Sequence, residues 1–529
     1  MRGRLRRDRV WSLLFLCLCF ASDSTAQTTG LLLQNGSAKN GYQQHFRNLR
    51  TTLLLARNGY EVLWVSRSAE IKVADQTKMA HRSDYLIHTA GQAKSVGHWR
   101  QLKRFVKHRT KREPLTLNAS AEIYGLPIES PRILVDAQPW SGNYNWYYDT
   151  LTLGGFTFRH MFDHRKLAPD PRFFNVLVAP GGGGEIPPKY NDLLRGFVAH
   201  GGHYVGSCWG AAQAIYPSRV GYGTGNGASI ADAYNNEVVR SFGAIGGVGV
   251  IRLRNTQPNH PVMWGLPNVL TNIYWNGPVM RVGPNAKVLA TLSGVDTTSF
   301  QFHSRSKSKR KQDADEERGK ALYVVSQRKG EGKVILFGNH PEASSSINPF
   351  PAFQMGSHAT FNAMLFAVAK KETRWQRTTP LNRRLTKRQL ANRSQKSVQL
   401  ASLSKQISLA EKLSTNVHKG TNFDEDQPAG CYLLRATREL RVIAKRQSEL
   451  TSLQQQASPA LRARIRRWRF VTEQTMRTFR EKLKKTRPRR MNRWNSWWQP
   501  IVGPVFERAQ ELRQLIDDCE LYAALRRLK

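Results

Sequence analysis

The segment at residues 201–210, GGHYVGSCWG, constrains the fold of this chain more than any other, because it predicts an apolar strand that turns sharply into a helix. Its Gly-x-Cys-x-Gly pattern is typical of a nucleophile elbow with cysteine as the nucleophile. Glycine permits the tight turn, and the positive N-terminal end of the following helix favours a thiolate at Cys208. The pattern predicts a reactive cysteine, and a buried structural cysteine at an ordinary strand-to-helix junction is the alternative.

A second segment places backbone donors at a strand end. The loop APGGGG at residues 179–184 follows an apolar strand and leaves N–H groups free to face a developing oxyanion. We expect Gly182 and Gly183, with the amide of Trp209, to form this oxyanion-binding or substrate-binding surface. The loop lacks the lysine and hydroxyl of a P-loop, which disfavours nucleotide binding, and a flexible turn is the alternative.

A third segment, GNHPE at residues 338–342, supplies a base at the end of another strand. His340 can take the proton of the Cys208 thiol, while Glu342 fixes the tautomer of the histidine. His-Pro-Glu is a weak motif in isolation. Its significance comes from the order of oxyanion loop, cysteine elbow and His-x-Glu, each at a strand end of one sheet, where α/β ligand sites lie.

The rest of the central region alternates strands and helices. Short apolar runs typical of buried parallel strands lie at residues 133–135, 176–178 and 334–337. This pattern predicts an α/β domain at residues 130–371, with a parallel sheet covered by helices on both faces. Residues 27–129 predict an α/β region with βαβ units, either separate or joined to the central sheet. The charged run at residues 304–320 predicts a solvated loop between strands.

These motifs together resemble the class I glutamine-amidotransferase superfamily, and within it the domain at the N-terminus of eukaryotic-type biotin-protein ligases. The segments that carry the resemblance are residues 179–184, 201–210, YWNGP at 274–278, and 338–342. The resemblance implies a flavodoxin-like fold, with Cys208 as nucleophile, His340 as base and Glu342 orienting the base. It also places Asn276 among the substrate-binding positions.

The chain departs from these relatives in ways that change the expected reaction. Trp209 stands where relatives usually carry a small residue, so its bulk can narrow or reshape the pocket. Neither a biotin-ligase catalytic region nor a synthetase domain that would accept ammonia is recognisable. Hydrolysis of an amide or related acyl bond through a thioester is the reaction that these residues could carry out alone.

The N-terminus has the order of a secretory signal peptide. Five arginines precede an apolar run at residues 10–20, and the small residues STA follow at 24–26, which predicts cleavage after Ala26. A transmembrane anchor, the alternative, needs about 20 apolar residues. We therefore expect a secreted or periplasmic protein.

Cleavage of this leader would leave three cysteines, because Cys17 and Cys19 lie within it. In an oxidising compartment an odd number favours one disulfide and one free thiol. Cys431 and Cys519 form the natural pair, which leaves Cys208 free. The alternative is that all three are buried small hydrophobic residues.

The charge is strongly basic, with 81 Lys and Arg against 38 Asp and Glu and a net charge of +43. Residues 372–529 carry roughly 35 of the basic and 14 of the acidic residues, and their apolar spacing predicts a basic helical region. An anionic envelope polymer or a membrane surface is the expected partner of this region, ahead of nucleic acid. A general basic bias without a binding site is the alternative.

The C-terminal region also contains aromatic residues interleaved with arginines. The arginines include Arg462, Arg464, Arg466, Arg467 and Arg469, and the tryptophans are Trp494, Trp497 and Trp498. Such a set can bind phosphate and stack on bases or sugars. We favour the other interpretation, in which the tryptophans anchor the region on the α/β domain and the arginines cover its outer face.

Two functions of different classes remain. The first is an exported cysteine-dependent hydrolase or amidase acting on a small-molecule or peptide substrate, with no cofactor and no metal. The second is a binding module of the same fold that recognises a small molecule or an anionic envelope component and does not use the triad. The presence of Cys208, His340 and Glu342 together favours the first.

Overall fold

The computed structural model of the 529-residue chain describes residues 30–35, 42–73, 76–88, 96–117, 122–138, 141, 144–183, 186–215, 227–235, 247–296, 298–302, 314–343, 351–375, 429–485 and 499–526. The predicted leader, Gly184, most of the charged run at 304–320, and Trp494, Trp497 and Trp498 lie outside these residues.

Nearly all of the described residues belong to helices and strands or to the turns between them. The helices are α1 (Gln43–Arg57), α2 (Val96–Thr110), α3 (Tyr144–Gly154), α4 (Pro188–Ala199), α5 (Trp209–Ala214), α6 (Pro351–Val368), α7 (Ala429–Gln456), α8 (Pro459–Lys485) and α9 (Gln499–Arg526). The strands are β1 (Gly30–Leu33), β2 (Glu61–Val65), β3 (Ala69–Val73), β4 (Gln76–Ala80), β5 (Tyr85–His88), β6 (Leu115–Leu117), β7 (Tyr124–Ile128), β8 (Arg132–Asp136), β9 (Thr157–Met161), β10 (Val176–Ala179), β11 (His203–Ser207), β12 (Ala233–Asn235), β13 (Gly247–Asn255), β14 (Val269–Trp275), β15 (Met280–Val282), β16 (Ala286–Val295), β17 (Gln301–Phe302), β18 (Ala321–Ser326), β19 (Val334–Phe337) and β20 (Thr373–Arg374).

The central sheet contains a parallel half and an antiparallel half. Its parallel half has the order β9-β8-β10-β11-β19, which is 2-1-3-4-5 in chain order and therefore a doubly wound arrangement. Strands β10 and β19 are buried along their whole length, as expected for strands covered on both faces. Helices α3 and α6 pack on one face, and α4 and α5 pack on the other.

The prediction of a wholly parallel central sheet is wrong beyond β19. Strand β18 runs antiparallel to β19, and β16, β13 and β14 continue the sheet in antiparallel pairs. Residues 327–333 join β18 to β19 as a hairpin, whereas a parallel crossover needs about a dozen residues or more. The sheet is thus mixed.

The N-terminal region forms its own six-stranded sheet, β20-β7-β2-β5-β1-β6. Each of its described pairings is antiparallel, so the predicted βαβ units are wrong as parallel neighbours. Strands β1 and β2 do run in the same direction with α1 between them, but β5 lies between the two strands. The chain also returns to this sheet after residue 371, because β20 pairs with β7.

The predicted helical C-terminal region is confirmed as α7, α8 and α9, with α9 packed against both other helices. The same helix covers β9, the edge strand of the central sheet. Gln510 Nε2 donates to Phe156 O just before β9 at 3.0 Å, and Glu507 Oε1 accepts from His160 N at 3.2 Å. These side chains satisfy backbone groups that an open edge would leave unpaired.

Ion pairs attach α9 to the N-terminal helices. Asp518 pairs with Arg57 of α1 at 2.8 Å, and Arg109 of α2 pairs with Asp517 and Glu520 at 2.8 Å each. Cys519 on the same helix is a buried free thiol, so the predicted disulfide with Cys431 does not form in this structure. Among the described helices, none combines the length and the apolar character needed to cross a bilayer.

Candidate active site

Cys208 lies at the turn between β11 and α5, at the carboxyl edge of the parallel strands. Its φ of 49° and ψ of −112° are rarely adopted by a residue with a side chain, and such strain is concentrated at functional sites. The backbone N–H of Cys208 donates to Phe337 O at 2.8 Å, which holds the turn against β19. The side chain is buried, with 6% of its surface exposed.

The glycines of the elbow are required by close packing. A Cβ added at Gly210 would lie 2.0 Å from the carbonyl oxygen of Ala179, and one at Gly206 would lie 2.7 Å from the Gly210 carbonyl. Both contacts are with backbone atoms that cannot rotate away. The elbow therefore admits only glycine at these two positions without displacing β10 or α5.

His340 and Glu342 follow β19 and form a buried hydrogen-bonded pair. His340 Nδ1 and Glu342 Oε1 are 2.8 Å apart, with the two side chains 1% and 0% exposed. The His340 backbone N–H donates to Ile273 O at 2.9 Å, and Thr150 Oγ1 donates to the Glu342 carbonyl at 2.9 Å. Because the carboxylate accepts from Nδ1, the other ring nitrogen is left for a partner on the opposite side of the ring.

Cys208 and His340 both lie close to the position that a side chain of residue 181 would occupy. A Cβ at Gly181 would be 2.3 Å from His340 Cε1 and 3.1 Å from Cys208 Cβ. Burial alone would lower the pKa of His340, but the charges of Cys208 and Glu342 outweigh it and raise the pKa to about 10. The structure thus brings together the three residues that the sequence singled out.

The loop after β10 reaches the elbow through Gly181, which lies against both Cys208 and His340. Gly182 is half-buried and Gly183 is exposed, and a Cβ at Gly183 would meet no atom within 4 Å. The role of the Gly182 and Gly183 N–H groups in binding an oxyanion stays a prediction.

The segment at residues 274–278 lies against the elbow. Cys208 Sγ is 3.2 Å from the carbonyl oxygen of Trp275, and a Cβ at Gly277 would be 3.2 Å from Cys208 Cα. Asn276 lies between these two contacts in a left-handed conformation with φ of 51° and is half-buried. Trp209 is also half-buried, because its ring packs against the apolar layer around α4 and α5.

Helix α3 contributes residues that the sequence analysis did not identify. The Trp146 ring meets the His340 ring edge-to-face at 5.1 Å and lies 6.2 Å from the Trp275 ring. The Tyr147 hydroxyl lies beside Ser207 and near Glu342. The run YNWYY at residues 144–148 was the available signal, but aromatic residues in a helix are usually core residues.

No protein-family model and no curated protein matches the chain. Solved structures do match it. A ThuA-like protein from Parabacteroides merdae is 17% identical, with 46% of this chain and 93% of that chain covered and a TM-score of 0.30. A GMP synthase subunit from Thermoplasma acidophilum is 13% identical, with 45% and 93% covered and a TM-score of 0.27.

A third match is the structure of PurLQS from Thermotoga maritima. It is 13% identical, with 45% of this chain and 99% of that chain covered and a TM-score of 0.29. The aligned part is less than half of this chain in each of the three cases. The assignment of the site therefore depends on the geometry of the chain itself.

Proposed function

We propose that residues 130–371 form a class I glutamine-amidotransferase-like domain of the biotin-protein ligase N-terminal type, which acts as a cysteine-dependent hydrolase or amidase. The observation that carries the proposal is the buried His340–Glu342 pair at 2.8 Å beside a cysteine in a strained turn. The 2-1-3-4-5 strand order supports the flavodoxin-like assignment of the parallel half. The site lies at the carboxyl ends of those strands.

In the proposed reaction, the Cys208 thiolate attacks the carbonyl carbon of an amide or related acyl compound. The tetrahedral oxyanion is stabilised by backbone N–H groups of Gly182, Gly183 or Trp209. The C–N or C–O bond then breaks, and the His340 imidazolium gives its proton to the leaving group, which leaves a thioester on Cys208.

The thioester is released by water. Neutral His340 takes a proton from the water as the water oxygen attacks the thioester carbon, and the C–S bond breaks to release the carboxylic acid and restore the thiolate. Glu342 remains ionised throughout and holds the Nδ1 proton of His340. Both steps use only the side chains and backbone N–H groups named here, the substrate and water.

We also propose that the protein is exported through the leader at residues 1–26 and meets an anionic polymer or membrane surface through its basic C-terminal region. The order of arginines, apolar run and small residues supports the leader. N-terminal sequencing of the protein made in its own host tests this proposal. A chain that still begins at Met1 would exclude cleavage after Ala26.

The test of the enzyme proposal is the rate of Cys208 alkylation by iodoacetamide against pH, in the full chain. A background in which serine replaces Cys17, Cys19, Cys431 and Cys519 isolates Cys208. In the unaltered chain, Cys519 is the comparison, because burial raises the pKa of its thiol to about 11. An ordinary free thiol has a pKa of about 8.5, and we expect Cys208 to be alkylated fast well below that pH. In His340→Ala, alkylation at pH 7 should be about tenfold slower.

One observation favours the second candidate, a binding module of the same fold. Cys208 Sγ can donate its hydrogen to the Trp275 carbonyl at 3.2 Å, which would keep the residue as a neutral thiol. Under this alternative Cys208 reacts no faster than a free thiol and His340→Ala leaves its rate unchanged. That pair of results would replace the hydrolase by the binding module.

A further inference from the structure

Helix α3 lies between the candidate triad and the C-terminal helices. On one side, Trp146 packs edge-to-face on His340, and Thr150 Oγ1 donates to the carbonyl of Glu342. The Tyr147 hydroxyl lies beside Ser207, the residue before the nucleophile. Three residues of one short helix therefore contact the two short segments that carry Cys208, His340 and Glu342.

The opposite side of α3 is held by the C-terminal helices. The Tyr148 ring lies 4.7 Å from the ring of Phe506 on α9, and its hydroxyl donates to the Phe506 carbonyl at 3.4 Å. Arg513 Nη1 donates to the Tyr148 hydroxyl at 3.3 Å, and Arg513 Nη2 pairs with Glu439 of α7 at 2.6 Å. Tyr148 is buried, so this contact is not a surface one.

These contacts are linked through a rigid element. Trp146, Tyr147 and Tyr148 are consecutive on one helix, where successive side chains point about 100° apart, so they move as a unit when the helix moves. A hydrogen bond such as the one from Thr150 tolerates displacements of only a few tenths of an ångström. A shift of α3 at Tyr148 would consequently be felt at His340 and Glu342.

From this geometry we infer that the C-terminal helices are part of the reaction unit, with Tyr148, Phe506 and Arg513 as positioning residues for the triad. The inference rests on the proposed function of Cys208, His340 and Glu342. It gives the basic C-terminal region a second role besides contact with an anionic surface. In the described part of the region, α9 supplies the anchor on the α/β domain. The predicted anchoring by Trp494, Trp497 and Trp498 lies outside the described residues and stays a prediction.

The experiment compares two ways of disturbing α9 in the full chain, in the background where Cys208 is the sole cysteine. Phe506→Ala/Arg513→Met removes the support of Tyr148. Asp518→Asn, also on α9, is the matched control. It removes the ion pairs of Asp518 with Arg57 of α1 and Arg464 of α8 but leaves the contacts of Tyr148 with Phe506 and Arg513 in place. The pH profile of Cys208 alkylation and the urea midpoint are measured for each variant.

We expect Phe506→Ala/Arg513→Met to slow alkylation at pH 7 by between tenfold and about 10²-fold, because a misplacement of about 1 Å far from the chemistry can have that effect. Asp518→Asn should keep the wild-type profile although its urea midpoint falls. If the double variant does not fold, Arg513→Met alone is used, and we expect alkylation of Cys208 at pH 7 to be about threefold slower. Arg513→Lys should restore part of that alkylation rate.

The outcomes separate this inference from the proposed function. An ordinary thiol profile in the otherwise unaltered background contradicts the proposed function itself, and the positioning role with it. An activated wild-type profile that persists in the Phe506 and Arg513 variants contradicts only the positioning role. Equal loss in Asp518→Asn would also overturn it, since the effect would then be a general loosening of the fold.

Discussion

At the scale of single residues, the shape of the candidate site depends on closely packed glycines as much as on Cys208, His340 and Glu342. Gly181, Gly210 and Gly277 each bring one backbone segment against another or against the side chains of Cys208 and His340. At such crowded positions glycine is a packing requirement, whereas inside a helix, as at Gly196, it is a cost in conformational entropy. Substitution by alanine distinguishes the two kinds of glycine, because it should destabilise the fold at the crowded positions and stabilise it inside a helix.

We predict opposite effects of alanine at Gly210 and at Gly196. Gly210→Ala should destabilise the fold by about 1–3 kcal/mol or more, because its Cβ would meet the Ala179 carbonyl at 2.0 Å. Gly196→Ala, within α4 and with no atom within 4 Å, should stabilise it by about 0.5–1 kcal/mol. Urea unfolding of both variants measures the two signs, and a neutral Gly210→Ala would show that β10 and α5 are less tightly packed than described.

At the scale of elements, α9 replaces the strand that would otherwise continue the sheet beyond β9. Gln510 is the clearest test, since its buried amide donates to the Phe156 carbonyl at 3.0 Å. Gln510→Leu should cost about 1–3 kcal/mol, the usual cost of leaving a buried carbonyl without a donor. Gln474→Leu on the exposed face of α8 is the control and should change stability by about 0.5 kcal/mol at most. Equal urea midpoints for the two variants would show that the edge does not need α9.

The elements also show which parts of the fold were accessible from the sequence. Cys208, His340 and Glu342 could be identified because each lies beside the strand that positions it, so short-range patterns sufficed. The antiparallel direction of β18 and the pairing of β20 with β7 depend on contacts between distant segments. The contributions of Trp146 and Tyr148 were hidden for a different reason, since an aromatic helix residue has the same pattern whether it packs in a core or beside a triad.

At the scale of the whole molecule, basic residues are in large excess, and acidic residues of α9 form ion pairs that join separate parts of the chain. Asp517, Asp518 and Glu520 of α9 pair with Arg57, Arg109 and Arg464 and join three parts of the chain. The net charge of +43 predicts an anionic partner, but it gives no indication that these acids lie at internal contacts. Burial alone would raise the pKa of Asp518, but the charges of Arg57 and Arg464 and the hydrogen bonds from Arg57 and Asn58 outweigh it and lower the pKa. The stability that this carboxylate contributes is therefore lost as the pH falls.

Buried histidines are the larger source of pH dependence in stability. Burial lowers the pKa of His160 and His358 to about 3 and that of His203 and His260 to about 4, and it lowers the pKa of His45 well below its usual range. Four groups act in the opposite direction. Burial raises the pKa of Asp84 to about 7 and also raises the pKa values of Glu511 and Glu520, and the pKa of His340 is raised to about 10. Because the five histidines outnumber these groups, we expect the free energy of unfolding to fall as pH decreases below about 6.5. Urea unfolding at pH 7 and pH 5 measures the change, and a higher stability at pH 5 would contradict it.

His160 allows the contribution of one such group to be isolated. Its ring is fully buried, neither ring nitrogen has a hydrogen-bond partner among the described residues, and it is surrounded by the rings of Tyr144, Tyr148, Phe158 and Phe162. In the unfolded chain this histidine takes up a proton near pH 6.5, whereas in the folded chain it does so only near pH 3. This difference lowers the free energy of unfolding by about 2 kcal/mol between pH 7 and pH 5. His160→Phe keeps an aromatic ring that cannot take up a proton. Its free energy of unfolding should therefore fall by about 2 kcal/mol less than that of the wild type between pH 7 and pH 5. His200→Gln, at an exposed position, should follow the wild-type pH dependence. If both variants follow it, His160 is protonated in the folded state by a route that its aromatic surroundings do not block.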